Sequence, residues 1–150
     1  AGDRLGNILA SDSNGQLGVT KSTGWSAVNG MWGPLGGSAG IYAVGSGGGI
    51  IVGTGCSSSG GPITCTWATQ ASGTTQALTA VYGYEDPSTD TYTFFVAVGN
   101  AGTILTSTGN GTWTAQVSHT TANLTAVWAA NPNDIFATAD DGTVMHLNGP

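Results

Sequence analysis

Charge is the scarcest property of this 150-residue chain. Charged residues make up 7% of it, against roughly 25% in an average soluble domain. Arg4 and Lys21 are the only Lys or Arg residues and face eight acids, for a net charge of −6. A surface that neutralises phosphates needs clustered Lys and Arg, so this balance excludes a nucleic-acid partner. It disfavours an anionic lipid surface for the same reason. Cysteine and histidine are limited to two residues each. Neither histidine lies near the cysteines in sequence, so no structural metal set is spelled out, and neither metal nor cofactor is expected. No apolar run approaches the ~20 residues that a membrane helix requires, so no insertion by this chain is expected. No window sustains an apolar stripe of period 3.6, which removes the amphipathic helix as a building unit.

Glycine (26 residues), Ser, Thr and Asn carry the polarity instead, and five Trp, four Tyr and three Phe supply the large apolar groups. Disorder combines low hydrophobicity with high charge and few aromatics, and this chain has the opposite signature. A short pattern occurs four times. Ile8-Leu9-Ala10, Ile41-Tyr42-Ala43, Phe95-Val96-Ala97 and Ile135-Phe136-Ala137 each lead, five residues after the alanine, to Gly15, Gly48, Gly102 and Gly142. An aliphatic residue returns two positions later, as Leu17, Ile50, Ile104 and Val144. This reads as strand, tight turn, strand, with glycine supplying the positive φ of the turn.

A second pattern alternates with the first: Trp67–Tyr82 (WATQASGTTQALTAVY) matches Trp113–Trp128 (WTAQVSHTTANLTAVW). Self-similarity at this period marks a radial or stacked repeat. Each unit parses into four short strands. Strand A is Val28–Trp32, Leu78–Tyr82 or Leu124–Trp128; B and C flank the glycine; D carries Trp25, Trp67 or Trp113. The expectation is one all-β domain over residues 1–150, with units at roughly 5–28, 28–69, 77–116 and 123–150. Glu85–Asp90 reads as an insertion between A and B of the third unit, and the Cys56–Cys65 loop as one between C and D of the second. The first unit lacks A and the last lacks D, which leaves terminal strands open to a partner or to self-assembly.

Cys56 and Cys65 flank the turn-rich SSSGGPIT and are expected to form a disulfide. Such a bond implies an oxidising compartment, extracellular, periplasmic or at the cell surface. The Ala1-Gly2 start is compatible with a mature chain after removal of an export signal.

The run Gly99–Trp113 (GNAGTILTSTGNGTW), followed by Leu124–Trp128 and Asn133–Ala137, resembles the BNR/Asp-box-like repeats of bacterial β-propellers, particularly the photosystem-assembly-factor (Ycf48-like) group. The resemblance covers three to four degenerate units and implies a small or partial β-propeller-like array of about four short antiparallel blades. Thr108 stands where that family has Asp. The class includes sialidases, which need clustered arginines, and Arg4 alone does not provide them. Glu85/Asp86 and Asp140/Asp141 are adjacent in turns, where carboxylates cap backbone amides. His119 aligns with Gly73 and His146 with Thr106, so neither position demands imidazole, and no nucleophile motif accompanies them. Asp12–Gly15 and Asp140–Gly142 lack the full ligand series of a calcium loop.

No enzyme is therefore expected. The reading is a non-catalytic secreted module for protein or glycan interaction. The alternative is a structural subunit of an extracellular filament or surface layer, of the split-pilin head type. Trp25, Trp67 and Trp113 are expected in packing roles. Trp32, Tyr82 and Trp128, which end the A strands, are the candidates for ligand or partner contact, with Asn131 and Asp134 of the adjoining turn.

Overall fold

The computed structural model describes residues 1–11, 17–34, 40–57 and 63–148. Gly15, the Asp12–Gly15 loop and the centre of the Cys56–Cys65 loop lie outside these residues. The described chain is all β and forms four antiparallel sheets. Sheet one pairs β1 (Asn7–Ser11) with β2 (Leu17–Ser22). Sheet two runs β3 (Val28–Trp32), β4 (Ile41–Gly45), β5 (Ile50–Ser57), β6 (Thr64–Gln70). Sheet three runs β7 (Leu78–Asp86), β8 (Thr91–Gly99), β9 (Ile104–Ser107), β10 (Thr114–Gln116). Sheet four holds β11 (Leu124–Asn131), β12 (Asp134–Ala139) and β13 (Val144–Leu147). Every strand pairs with its sequence neighbour, as expected of a chain built from hairpins.

The repeated glycines do what their spacing demands. Gly48, Gly102 and Gly142 have φ of 73°, 67° and 88° in the turns that join B to C. These turns also bind the residue that precedes strand A of their own sheet: the amides of Ser46, Asn100 and Asp140 donate to the carbonyls of Ala27, Ala77 and Asn123. The turns of Gly48 and Gly102 also touch the linker to the next sheet. A Cβ on Gly48 would lie 2.0 Å from the Thr74 carbonyl oxygen, and one on Gly102 2.0 Å from that of Thr120. Each linker is folded by one device: the amides of Thr74 and Thr120 donate to the hydroxyls of Ser72 and Ser118. Gly73 and His119 between them both have positive φ, 73° and 56°.

β8 shows why the central strands read as continuous apolar runs. Phe95 and Ala97 point into one core with Tyr42, Val44 and Ile50 of sheet two. Phe94, Val96 and Val98, one residue out of phase, point into a second core with Ile135 and Ala137 of sheet four. Period-2 alternation thus buries both faces. At the repeat position Ala43 and Ala97 are sealed at 0% and Ala137 at 1% exposure, whereas Ala10 of sheet one is only partly buried.

Three expectations are corrected. Trp25 sits in a bend, not in a fourth strand, because only two residues separate it from β3. Its ring instead lies on Gly49, where a Cβ would come within 2.2 Å of it. Glu85 and Asp86, expected in a turn, pair instead with Tyr92 and Thr91, so the insertion between A and B lengthens the β7–β8 hairpin around a turn at 87–90. The first unit is not bare where strand A is missing, since Gly2 bridges Ile8 and Ala1 exchanges two backbone bonds with Leu9. Cys56 and Cys65 form the expected disulfide, joining β5 to β6.

Candidate functional site

Strands β3, β7 and β11 lie side by side, one from each of the last three sheets, so their equivalent terminal residues converge. Trp32, Tyr82 and Trp128 line one cleft of about 310 Å³, closed at its sides by Tyr92, Glu85 and Pro34. The ring centroids of Trp32 and Tyr82 are 6.2 Å apart, and those of Tyr82 and Trp128 6.5 Å, each pair inclined at 55°. Trp32 and Tyr82 are half-buried, contrary to the exposure expected of them. The reason is contact beneath: Trp32 packs edge-on against Phe95 at 5.8 Å and Tyr92 at 5.1 Å, and its ring covers Gly83. Trp128 is half exposed (50%).

Tyr92 and Glu85 are the functional-looking pair that the sequence did not reveal. They face each other across the lengthened hairpin, and Tyr92 Oη donates to Glu85 Oε2 at 2.7 Å. That bond, with lesser help from desolvation and from the carboxylate charge, pushes the Tyr92 phenol up to about 12. Strand register was the missing signal, because Glu85 and Asp86 read as turn residues, which left no pairing to count.

Asn131 and Asp134 do not line the cleft. Asn131 Oδ1 accepts the Asn133 amide at 2.8 Å and shapes the β11–β12 turn. Asp134 Oδ1 lies 2.7 Å from His146 Nε2. His146 stacks on Phe136 at 4.6 Å, and Phe136 packs on Trp128 at 6.1 Å. Cross-strand register places Trp128, Phe136 and His146 in one row over sheet four. The inward face of that sheet (Ile135, Ala137, Ala139) is buried against sheet three, whereas Trp128, Phe136 and Val144 are exposed.

The remaining carboxylates work in turns. The Ser88 hydroxyl and amide hold Asp86 below the usual carboxylate range, and the Thr143 amide does the same for Asp141. Asp140 accepts from the Asn123 side chain at 2.8 Å. Among the described residues no group of three or more His, Cys, Asp or Glu side chains is placed to hold a metal ion. Arg4 precedes β1 and Lys21 lies in β2, so no lysine or arginine sits on the last two sheets.

Sheets two to four are also tied by one repeated bond. Asn29 Nδ2 donates to the Leu78 carbonyl at 2.8 Å, and Thr79 Oγ1 to that of Leu124 at 2.6 Å. The second residue of each A strand thus grips the first residue of the next.

Compared with known proteins, the chain matches no family model and no curated protein. Among solved structures it is similar to YCF48 from Cyanidioschyzon merolae, with a TM-score of 0.73 over 97% of this chain and 18% identity. The fold is that of a partial β-propeller. The chain spans 45% of the length of that structure. Among the described residues, sheets two and three are four-stranded blades, sheet four is a blade of three strands, and sheet one is a blade of two.

Proposed function

We propose that this propeller-like chain is a non-catalytic binding module of an extracytoplasmic space, which takes a protein or glycan segment in the aromatic cleft between blades. The observation that carries the reading is the convergence of Trp32, Tyr82 and Trp128, three repeat-equivalent side chains, on one opening. Aromatic faces give large contact area at low entropic cost, and the Tyr hydroxyls with Glu85 add hydrogen bonding at the rim. The Cys56–Cys65 bond supports an oxidising location. The paired carboxylates serve in turns and in the Glu85–Tyr92 bond, which supports a role other than catalysis. The test is a glycan array in parallel with capture of surface proteins, using wild type and Trp128→Ala. A ligand retained by the wild type and weakened at least tenfold by the substitution supports the cleft. Equal retention by both proteins refutes it.

A second reading makes the chain a structural subunit of a filament or surface layer. The exposed Trp128, Phe136 and Val144 on the free face of sheet four favour it, since a neighbour's blade would cover them. Electron microscopy and sedimentation decide between the two: a compact monomer at all concentrations, alone and with its partner chains, removes the filament.

A further inference from the structure

Sheets two to four carry six carboxylates, Glu85, Asp86, Asp90, Asp134, Asp140 and Asp141, and no lysine or arginine. Part of that charge bears on the aromatic cleft. Glu85 stands in its wall, and its Oε2 accepts the Tyr92 hydroxyl at 2.7 Å. The Tyr92 phenol is raised first by that bond, then by desolvation and by the charges of Glu85 and Asp90. Glu85 is exposed, and among the described residues no donor meets its Oε1 or the Tyr82 hydroxyl. Trp32, Tyr82 and Trp128 are inclined at 55° each to the next, with centroids 6.2 and 6.5 Å apart, so these rings are not stacked flat on one another. The face of an aromatic ring is its negative side. Such faces beside a carboxylate without a cation favour a positive ligand and repel a negative one. Every wall is drawn from β3, β7, β8 and β11 with Pro34, so no feature of the cleft depends on where the sequence begins or ends.

We propose that the cleft takes the guanidinium group of an arginine side chain carried by a partner protein, a step that rests on the cleft being the binding site and adds the chemistry of what fills it. The guanidinium lies over the Tyr82 and Trp128 rings and donates to Glu85 Oε1. It is planar, weakly hydrated and stacks on aromatic faces, and its fork of N–H donors suits several rim oxygens better than the compact ammonium of lysine. A volume of about 310 Å³ lies at the lower limit of ligand clefts, about 300–1,000 Å³, and suits one side-chain head rather than a run of sugar rings. A neutral glycan gains nothing from the surplus of carboxylates, and an acidic one is repelled. The chain's own cations do not line the cleft: Arg4 precedes β1 and Lys21 lies in β2. A second copy is a poor donor, since Arg4 is its only arginine and copies with a net charge of −6 repel each other.

The probes are the peptide Gly-Gly-Arg-Gly-Gly and its lysine and citrulline forms; citrulline keeps the shape of arginine and lacks its charge. Each is titrated into the intact protein at physiological salt while NMR follows the indole N–H signals of Trp32 and Trp128. The arginine form should shift both signals and bind about tenfold tighter than the citrulline form, with lysine between them. Glu85→Gln removes the charge and keeps an acceptor for Tyr92, and Trp128→Ala removes an exposed ring; each should cut the preference about threefold or more. Asp140→Asn, an equal loss of charge outside the cleft, should leave it unchanged. Arginine and citrulline forms that bind alike overturn the proposal, as does an arginine form that fails to bind or a lysine form that binds as tightly. So does a preference that survives Glu85→Gln or Trp128→Ala, or that Asp140→Asn cuts equally. Indole signals that move on dilution of the protein alone, and no longer do so in Arg4→Ala, make the donor a second copy and overturn the partner. If the charged and neutral forms bind alike and Trp128→Ala weakens both, the cation falls while the cleft stands, so the two readings fail separately.

Discussion

At the scale of single residues, glycine conformation and tryptophan placement explain most of what the chain does. Gly102 and Gly47 both have positive φ, 67° and 66°, but their surroundings differ. A Cβ on Gly102 would strike the Thr120 carbonyl, whereas one on Gly47 would meet nothing within 4 Å. Ala101, the counterpart of Gly47, already adopts φ of 52°. Gly102→Ala should therefore cost about 3 kcal/mol or more, from strain plus overpacking, and Gly47→Ala only about 1 kcal/mol. Equal midpoints in urea for the two variants would refute this account. Tyr92 offers a prediction in pH. Its folded-state value, raised from 10.0 to about 12, means that the protonated phenol favours folding. That contribution is whole below pH 10 and is lost as the pH rises from about 10 to about 12. Tyrosinate absorbance should show a late ionisation that Glu85→Gln returns towards the ordinary value, while the Tyr42 phenol, raised by burial, is left unchanged by that substitution. Asp86 and Asp141 act with the opposite sign. Their lowered values stabilise the fold above the usual 3.8, and that stabilisation is lost as the pH falls below it.

At the scale of elements, the B–C hairpins were legible because the turn leaves glycine little competition, and a fixed spacing shows in any sequence that repeats it. The A strands were legible for the same reason, through Leu-Thr-Ala-Val. What stayed hidden depends on pairing across space. The Glu85–Tyr92 register, the bonds of Asn29 and Thr79 to the next blade, and the Gln70–Trp113 contact join residues up to 49 positions apart. No local periodicity encodes such distances. The candidate site shows the same division: Trp32, Tyr82 and Trp128 were found from repeat position alone, but the half-burial of Trp32 stayed hidden because Phe95 and Gly83, against which its ring packs, belong to other strands. The disulfide is an element-scale constraint, closing a loop between β5 and β6 with a sequence separation of 9. Loop-closure entropy for that length is worth about 2–3 kcal/mol. Cys56→Ser with Cys65→Ser should lower unfolding free energy by about that amount in chemical denaturation, and a change below about 0.5 kcal/mol would show the β5–β6 pairing to be sufficient alone.

At the scale of the whole molecule, stability is distributed as in a repeat array, where each unit leans on its neighbours. Sheet three has a packed core on both faces, while sheet four has one on a single face. Native-state hydrogen exchange should find β8 slowest and β13 among the fastest elements. Protection of β13 equal to that of β8, in the protein alone, would contradict this ordering. The repeated Asn29 and Thr79 bonds make the same point in chemical form. Thr125 holds the equivalent place in sheet four, and among the described residues it bonds to Thr138 of its own sheet, at 3.0 Å between hydroxyls.

The B–C turns have a mechanical consequence. Each binds the backbone in front of its own blade through an amide-to-carbonyl bond of 2.9–3.1 Å, and those of Gly48 and Gly102 also press on the linker to the next, with glycine contacts too close for any side chain. The Gly48 and Gly102 joints resist rotation, since a swing of the next blade must drive a linker carbonyl into the backbone of the turn. At Gly102 it must also break the bond from the glycine amide to the Ala122 carbonyl at 2.8 Å. Pulled from two points, the array should therefore carry tension as a stiff strut and yield abruptly, one clamp at a time, instead of flexing like beads on a string.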